Sequence, residues 1–433
     1  MNPTVSEIIC KRSERLGEVY YETTHRSGLK ITVCPKKFLT CYAVLGTKFG
    51  SAYDRYRVGE KEYKLPSGCA HFLEHKLFEN EDGISADERF AALGAEVNAY
   101  TTYNATRYLF GATKKYGECI SQLLRFVTSP YFTKENVKKE QGIIEQEIMM
   151  YADDPYETAM ERCLRAMYRR NSVRNSICGS VSSIKRINDK LLYDVYNSFY
   201  NPNNMLLSVC GDITPEEVIA IADRELPTEC VPYRTVSLTD PETESAVYKE
   251  YTEKRMRVAR PMFFLGIKDR TPTDSGYSRI RRNLGMTVLN NMLFSGTGEF
   301  YNNLLKERII TPGFSFGYTS GESCAMNYFS GTTDDPKNLR ELILKKASSA
   351  ADGELEKSDF LRCKRSLVAS QFKSFDSSAE IADDILQTAL TAGVDPFEII
   401  NIAESITFDE VFELAKELFG SNVSSTLSVI LPL

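Results

Sequence analysis

Pro66-Ser67-Gly68-Cys69-Ala70-His71-Phe72-Leu73-Glu74-His75-Lys76-Leu77-Phe78 holds two of only three histidines in a chain of 433 residues. Pro66-Ser67-Gly68 reads as a helix start, with Ser67 at the N-cap. On that helix His71 and His75 lie one turn apart on one face, as two imidazoles must to share a metal ion, and Glu74 falls on the same side. The same three residues could line an ordinary half-buried polar face. Their pairing at this spacing in so histidine-poor a chain favours a zinc site with a built-in base. Cys69 points away from that face and reads as a packing residue.

A zinc ion that activates water takes three protein ligands and keeps a fourth position open, so one ligand has still to be found. His25 lies in Thr23-Thr24-His25-Arg26-Ser27-Gly28, which reads as a turn-like surface segment, and a carboxylate is the better candidate. Val137-Lys138-Lys139-Glu140-Gln141-Gly142-Ile143-Ile144-Glu145-Gln146-Glu147-Ile148 offers Glu140 and Glu147 two turns apart on one helical face, while Glu145 points elsewhere. Acidic helix faces are ordinarily solvated. Spacing alone leaves Glu147 open.

Around these two helices the pattern alternates. Strands are expected at Leu29 to Cys34, Cys41 to Lys48, Gly94 to Tyr103, Thr106 to Phe110 and Met205 to Gly211, joined before the first histidine by a charged connection from Gly50 to Leu65. Helices are expected at Gly117 to Thr128, Lys134 to Tyr151, Tyr156 to Arg169, Leu191 to Tyr200 and Pro215 to Glu225. The class is α+β.

Leu45-Gly46-Thr47-Lys48 returns as Leu265-Gly266-Ile267-Lys268, and Leu206-Leu207-Ser208-Val209 as Thr426-Leu427-Ser428-Val429, both at a shift of about 220 residues. Two matches at one offset predict two homologous α/β domains, each a mainly antiparallel sheet packed by helices: residues 1–227 bearing the metal, a proline-marked linker at 228–245, and an inactive copy at 246–433. The same shift carries His71, Glu74 and His75 onto Asn291, Phe294 and Ser295. The second copy has the helix without the chemistry, which favours a functional role for the first.

A net charge of −6 gives no basic field for nucleic acid. No apolar run is long enough for a signal peptide or a membrane span, and eleven cysteines without a C-x-x-C pair fit a reducing compartment, so a cytoplasmic protein is expected.

The order His71-Phe72-Leu73-Glu74-His75, a glutamate helix about seventy residues downstream and two similar halves resemble the pitrilysin (insulinase) family of inverzincin metallopeptidases, which includes the mitochondrial processing peptidase. The resemblance spans essentially the whole chain. It implies a zinc-dependent endopeptidase acting on short or unfolded peptides, with His71, His75 and Glu147 as zinc ligands, Glu74 as the base that activates water, and Glu140 as a carboxylate that orients a ligand histidine. It also implies that Asn98-Ala99-Tyr100-Thr101-Thr102 is an edge strand that takes peptide by strand addition, with Asn98, Ala99 and Tyr100 as the binding residues, although on pattern alone the stretch reads equally well as an ordinary core strand. One departure stands out. Where active relatives carry an Arg and, seven residues on, a Tyr, the run Phe300 to Pro312 places Leu305 and Pro312. The implied remedy is a heterodimer with a homologous, metal-free partner, or a homodimer; the alternative is a non-catalytic scaffold subunit.

Overall fold

The computed structural model describes residues 7–230, 232–238, 244–270, 276–321 and 324–433. In chain order the strands are β1 (Ile9–Ser13), β2 (Glu18–Thr24), β3 (Lys30–Pro35), β4 (Cys41–Thr47), β5 (Arg55–Val58), β6 (Lys61–Lys64), β7 (Ala95–Thr101), β8 (Thr106–Ala112), β9 (Met205–Gly211), β10 (Val236–Leu238), β11 (Tyr251–Met256), β12 (Met262–Lys268), β13 (Ser315–Ser320), β14 (Ala325–Thr332) and β15 (Ser425–Pro432). They form a seven-stranded sheet in the order β1-β2-β3-β9-β4-β8-β7, a small sheet β10-β5-β6, and a five-stranded sheet β11-β15-β12-β14-β13.

The duplication is visible in the hydrogen-bond ladders. In the first large sheet β3 runs parallel to β9, and β9, β4, β8 and β7 then alternate antiparallel. In the second, β11 runs parallel to β15, and β15, β12, β14 and β13 repeat the alternation. Central strands are covered on both faces and so read as near-continuous apolar runs: Met205-Leu206-Leu207-Ser208-Val209-Cys210-Gly211 is buried throughout. Each sheet is mainly antiparallel and packed by helices, as expected.

Contacts gather the chain into two units, Met1–Gln146 with Ser176–Thr239 and Phe372–Phe397, and Glu147–Asn175 with Asp240–Gln371 and Glu398–Leu433. Each unit therefore includes a helix from the other half of the sequence. α1 (Cys69–Leu77), α2 (Ala86–Leu93), α3 (Tyr116–Thr128) and α4 (Lys134–Asp153) precede α5 (Pro155–Met167), which packs on β12 and β15 of the second unit. Reciprocally, the helix Ser378–Leu386 packs on β4 and β9 of the first. The division falls between Gln146 and Glu147, inside α4, which is one unbroken helix across it.

Several expectations need correction. The charged connection from Gly50 to Leu65 contains β5 and β6, whose charge hides a Tyr56–Tyr63 stack with ring centroids 5.0 Å apart. Within the expected linker β10 pairs with β5, and residues 231 and 239–243 lie outside the described residues. His25 is not on the surface: it is 3% exposed, with Nδ1 2.8 Å from Ser27 Oγ and Nε2 3.1 Å from Asp223 Oδ1.

Candidate metal centre

The histidine helix starts differently from the expectation. Its N-cap is Gly68, at φ 89°, and no side chain caps it. A Cβ on Gly68 would come 2.5 Å from the Cys178 carbonyl oxygen, and one on Gly179, at φ 78°, 2.3 Å from that of Ser67. Only glycine at both positions lets the two loops approach this closely. Ser67 serves through its carbonyl, which accepts from Ser183 Oγ at 2.7 Å. Eight of the nine residues of α1 are buried and only His75 is half-open.

His71 and His75 face one another with ring centroids 4.5 Å apart, inclined by 55°. Glu147, half-buried on α4, completes a cluster in which one ligand atom from each of His71, His75 and Glu147 lies within 4.8 Å of the others. Two imidazole nitrogens and one carboxylate oxygen form a donor set suited to zinc with a position left open. Glu74, 7% exposed, follows on the same helix, and Thr101 Oγ1 donates to its Oε2 at 2.5 Å.

Glu140 lies seven residues before Glu147 and meets a different part of the cluster. Its Oε1 is 3.1 Å from His75 Nδ1 and its Oε2 is 3.5 Å from Lys76 Nζ. A carboxylate can only accept here, so Nδ1 carries the hydrogen and Nε2 is the nitrogen that could hold a metal. Burial alone would raise the Glu140 carboxyl, but the His75 hydrogen bond and the Lys76 charge outweigh it and hold it below its ordinary value. Lys76 is fully buried and also pairs with Glu79 at 2.6 Å.

A cleft of about 640 Å³ opens beside these groups, lined among others by Glu74, His75, Asn98, Ala99, Lys139 and Glu140. β7 is the last strand of its sheet, and among the described residues it pairs only with β8. Asn98 and Ala99 thus border the cleft. The Tyr100 hydroxyl instead sits 3.1 Å from Asp383 and accepts from Arg107 Nη1 at 2.7 Å.

Two contacts had no signal in the sequence. Thr101 is 27 residues from the carboxylate it touches, and Cys178 Sγ, 3.8 Å from His71 Nε2, is 107 residues from that histidine. Cys69 is buried, its thiol pushed up to about 12 by loss of solvent.

In the second copy no ionisable side chain stands at the corresponding places. Phe294 is buried in the core of its unit, its ring edge-on to Phe329 at 4.7 Å, while Asn291 donates to its own helix at Thr287 and Ser295 contacts Thr297. The shift of about 220 residues carries Glu140 and Glu147 onto Phe360 and Leu367, both core residues. Leu305 likewise packs against that core.

Residues 40–181 match the family model described as Insulinase (Peptidase family M16), and residues 186–367 the model described as Peptidase M16 inactive domain. The uncharacterized zinc protease YmfH of Bacillus subtilis is 33% identical over 96% of this chain and 98% of its own length. The mitochondrial-processing peptidase subunit beta of Caenorhabditis elegans is 21% identical over 83% of this chain and 80% of its own. A crystal structure of a putative M16-like peptidase from Alicyclobacillus acidocaldarius superposes with a TM-score of 0.90 at 28% identity, covering 100% of this chain and 99% of that one.

Proposed function

Because the chain belongs to the insulinase family of peptidases, M16, we propose that it is the metal-bearing chain of a zinc endopeptidase that hydrolyses short or unfolded peptides. In this reading His71, His75 and Glu147 are the ligands, Glu74 is the base and Glu140 orients His75. The observation that carries it is the convergence of three ligand atoms within 4.8 Å, with a buried carboxylate one residue from a ligand and a polar cleft beside it.

A zinc ion held by these residues would supply Lewis acidity, acidifying a water and polarising a peptide carbonyl. Glu74 takes a proton from the attacking water and passes it to the leaving amine. Glu140 fixes the tautomer and plane of His75. Asn98, Ala99 and Tyr100 offer the main chain of β7 to an extended peptide, whose backbone then supplies most of the affinity while side-chain pockets set preference.

Leu305 is packed against apolar side chains where active relatives are expected to carry the Arg of an Arg/Tyr pair, so the groups that grip the substrate carbonyl come from a homologous, metal-free partner subunit. A cytoplasmic setting fits eleven cysteines among which no disulfide forms. Among the described residues no helix is long and apolar enough to cross a membrane.

The test is zinc content together with chelator-sensitive cleavage of an unstructured peptide, measured on the chain alone and with its co-expressed partner. Glu74→Gln keeps zinc and loses about 10²–10⁴-fold in rate. A zinc-loaded, active Gln variant sinks the assignment of the base. A wild-type chain that binds no zinc supports the scaffold reading instead, and full activity without a partner removes the heterodimer.

A further inference from the structure

The geometry points to Thr101 as a positioning residue that fixes the Glu74 carboxylate and links its orientation to peptide pairing along β7; the inference rests on the peptidase reading above. Thr101 ends β7 opposite Thr106, the first residue of β8. The two hydroxyls are 3.3 Å apart, but the single proton of Thr106 is directed at the Phe49 carbonyl, 2.8 Å away, which can only accept. Thr106 therefore has no proton to give Thr101. The Thr101 proton goes to Glu74 Oε2, the acceptor 2.5 Å away. The last torsion of a glutamate is broad and twofold, so this bond sets the plane in which the base meets a water.

The backbone around Thr101 is held from both sides. Behind it, Thr102 Oγ1 donates to the Ala105 carbonyl at 2.9 Å and accepts from Ala105 N at 3.1 Å, while Ser51 N donates to the Thr102 carbonyl at 3.0 Å. Ahead of it, Tyr100 is tied by its hydroxyl to Arg107 and Asp383, which themselves pair at 2.8 Å. At the outer edge, Ala99 N donates only to the neighbouring Asn98 Oδ1, at 2.8 Å, a local bond that an added peptide strand replaces. A peptide added there draws Ala99 off the Asn98 side chain and extends a second ladder along the strand that ends in the Thr101 hydroxyl. Pairing along β7 thus orders the base, and a longer peptide gains in kcat as well as in binding.

The experiment uses the zinc-loaded protein with its co-purifying partner and two quenched fluorogenic peptides. One has about four residues; the other has about ten, enough to run the length of β7. Thr101→Val is expected to lower kcat on the long peptide by about tenfold to a hundredfold, to leave KM within about twofold, and to abolish the kcat advantage of the long peptide over the short. Thr101→Ser restores it. Zinc content stays equal, and in a Glu74→Gln background Thr101→Val leaves the dissociation constant of the long peptide unchanged. Wild-type kcat in the Val variant overturns the inference, as does a loss that Ser does not restore or that follows lost zinc or weakened peptide binding. If the wild-type protein cleaves neither peptide in a zinc-dependent way, the peptidase reading falls and takes this inference with it.

Discussion

Glu140 faces two cationic or donating groups at once, and that arrangement predicts how it acts. Its carboxylate accepts from His75 Nδ1 and lies beside the buried Lys76 ammonium, so replacing it with an amide preserves shape while removing the charge that polarises the imidazole. Glu140→Gln is expected to weaken zinc binding about 10–100-fold without unfolding the chain, read by competition with a fluorescent chelator. His25 shows the opposite electrostatic situation. Burial makes its imidazole harder to protonate, against the opposing pull of Asp223, whose side chain is 43% exposed and largely screened. The unfolded chain binds that proton near the ordinary value of about 6.5 and the folded chain only at lower pH. The contribution of His25 to stability is therefore fully present above that value and is lost as pH falls from there through the lower folded one. The urea midpoint of the wild type should drop between about pH 7.5 and 5.5 more steeply than that of His25→Gln; equal slopes would show that His25 does not control this window.

At the level of elements, what sequence reveals depends on whether burial leaves a periodic trace. β9 and the helix Pro215–Glu225 fall where the pattern puts them, because one is apolar throughout and the other carries Thr214 and Glu217 as a capping box. β1 and β2 leave no such trace: they lie at the outer edge, and four of their twelve residues are the charged Lys11, Arg12, Glu18 and Glu22. α1 lies where its pattern puts it, but it starts at a left-handed Gly68 with no side-chain cap, and a one-letter sequence does not show that conformation. The crossing of α5 and the helix Ser378–Leu386 was illegible for a different reason: each has an amphipathic face, and nothing local says which sheet it covers. Leu386 provides the check. It is fully buried on the first sheet, close enough that a Cβ on Gly46 would come 2.9 Å from it. Leu386→Ala should cost about 2–5 kcal/mol in urea unfolding, although the residue lies more than three hundred positions from β4. A loss near zero would mean that this helix does not support the first sheet.

Across the whole molecule, the duplicated sheets separate what the fold needs from what the chemistry needs. Both copies keep the ladder of one parallel and three antiparallel pairings, yet among the described residues the His-His-Glu cluster lies in the first alone. Where the first copy buries Glu74 and Glu140, the second buries Phe294 and Phe360. The sheet and its helices therefore do not require polar groups at these places, and keeping them in the first copy has a desolvation cost that a bound metal would offset. It follows that the site cannot be transplanted by copying its short motif. The triple substitution Asn291→His, Phe294→Glu, Ser295→His would install the motif but leave Leu367 where a third ligand is needed and place an unpaired carboxylate among Phe329, Phe300 and Phe316. Such a chain should bind one zinc rather than two, as measured by elemental analysis, and lose at least about 3–5 kcal/mol of stability. Two zinc ions per chain with unchanged melting would show that the second helix had kept a latent site, and that the hydrocarbon filling it had merely drifted into place.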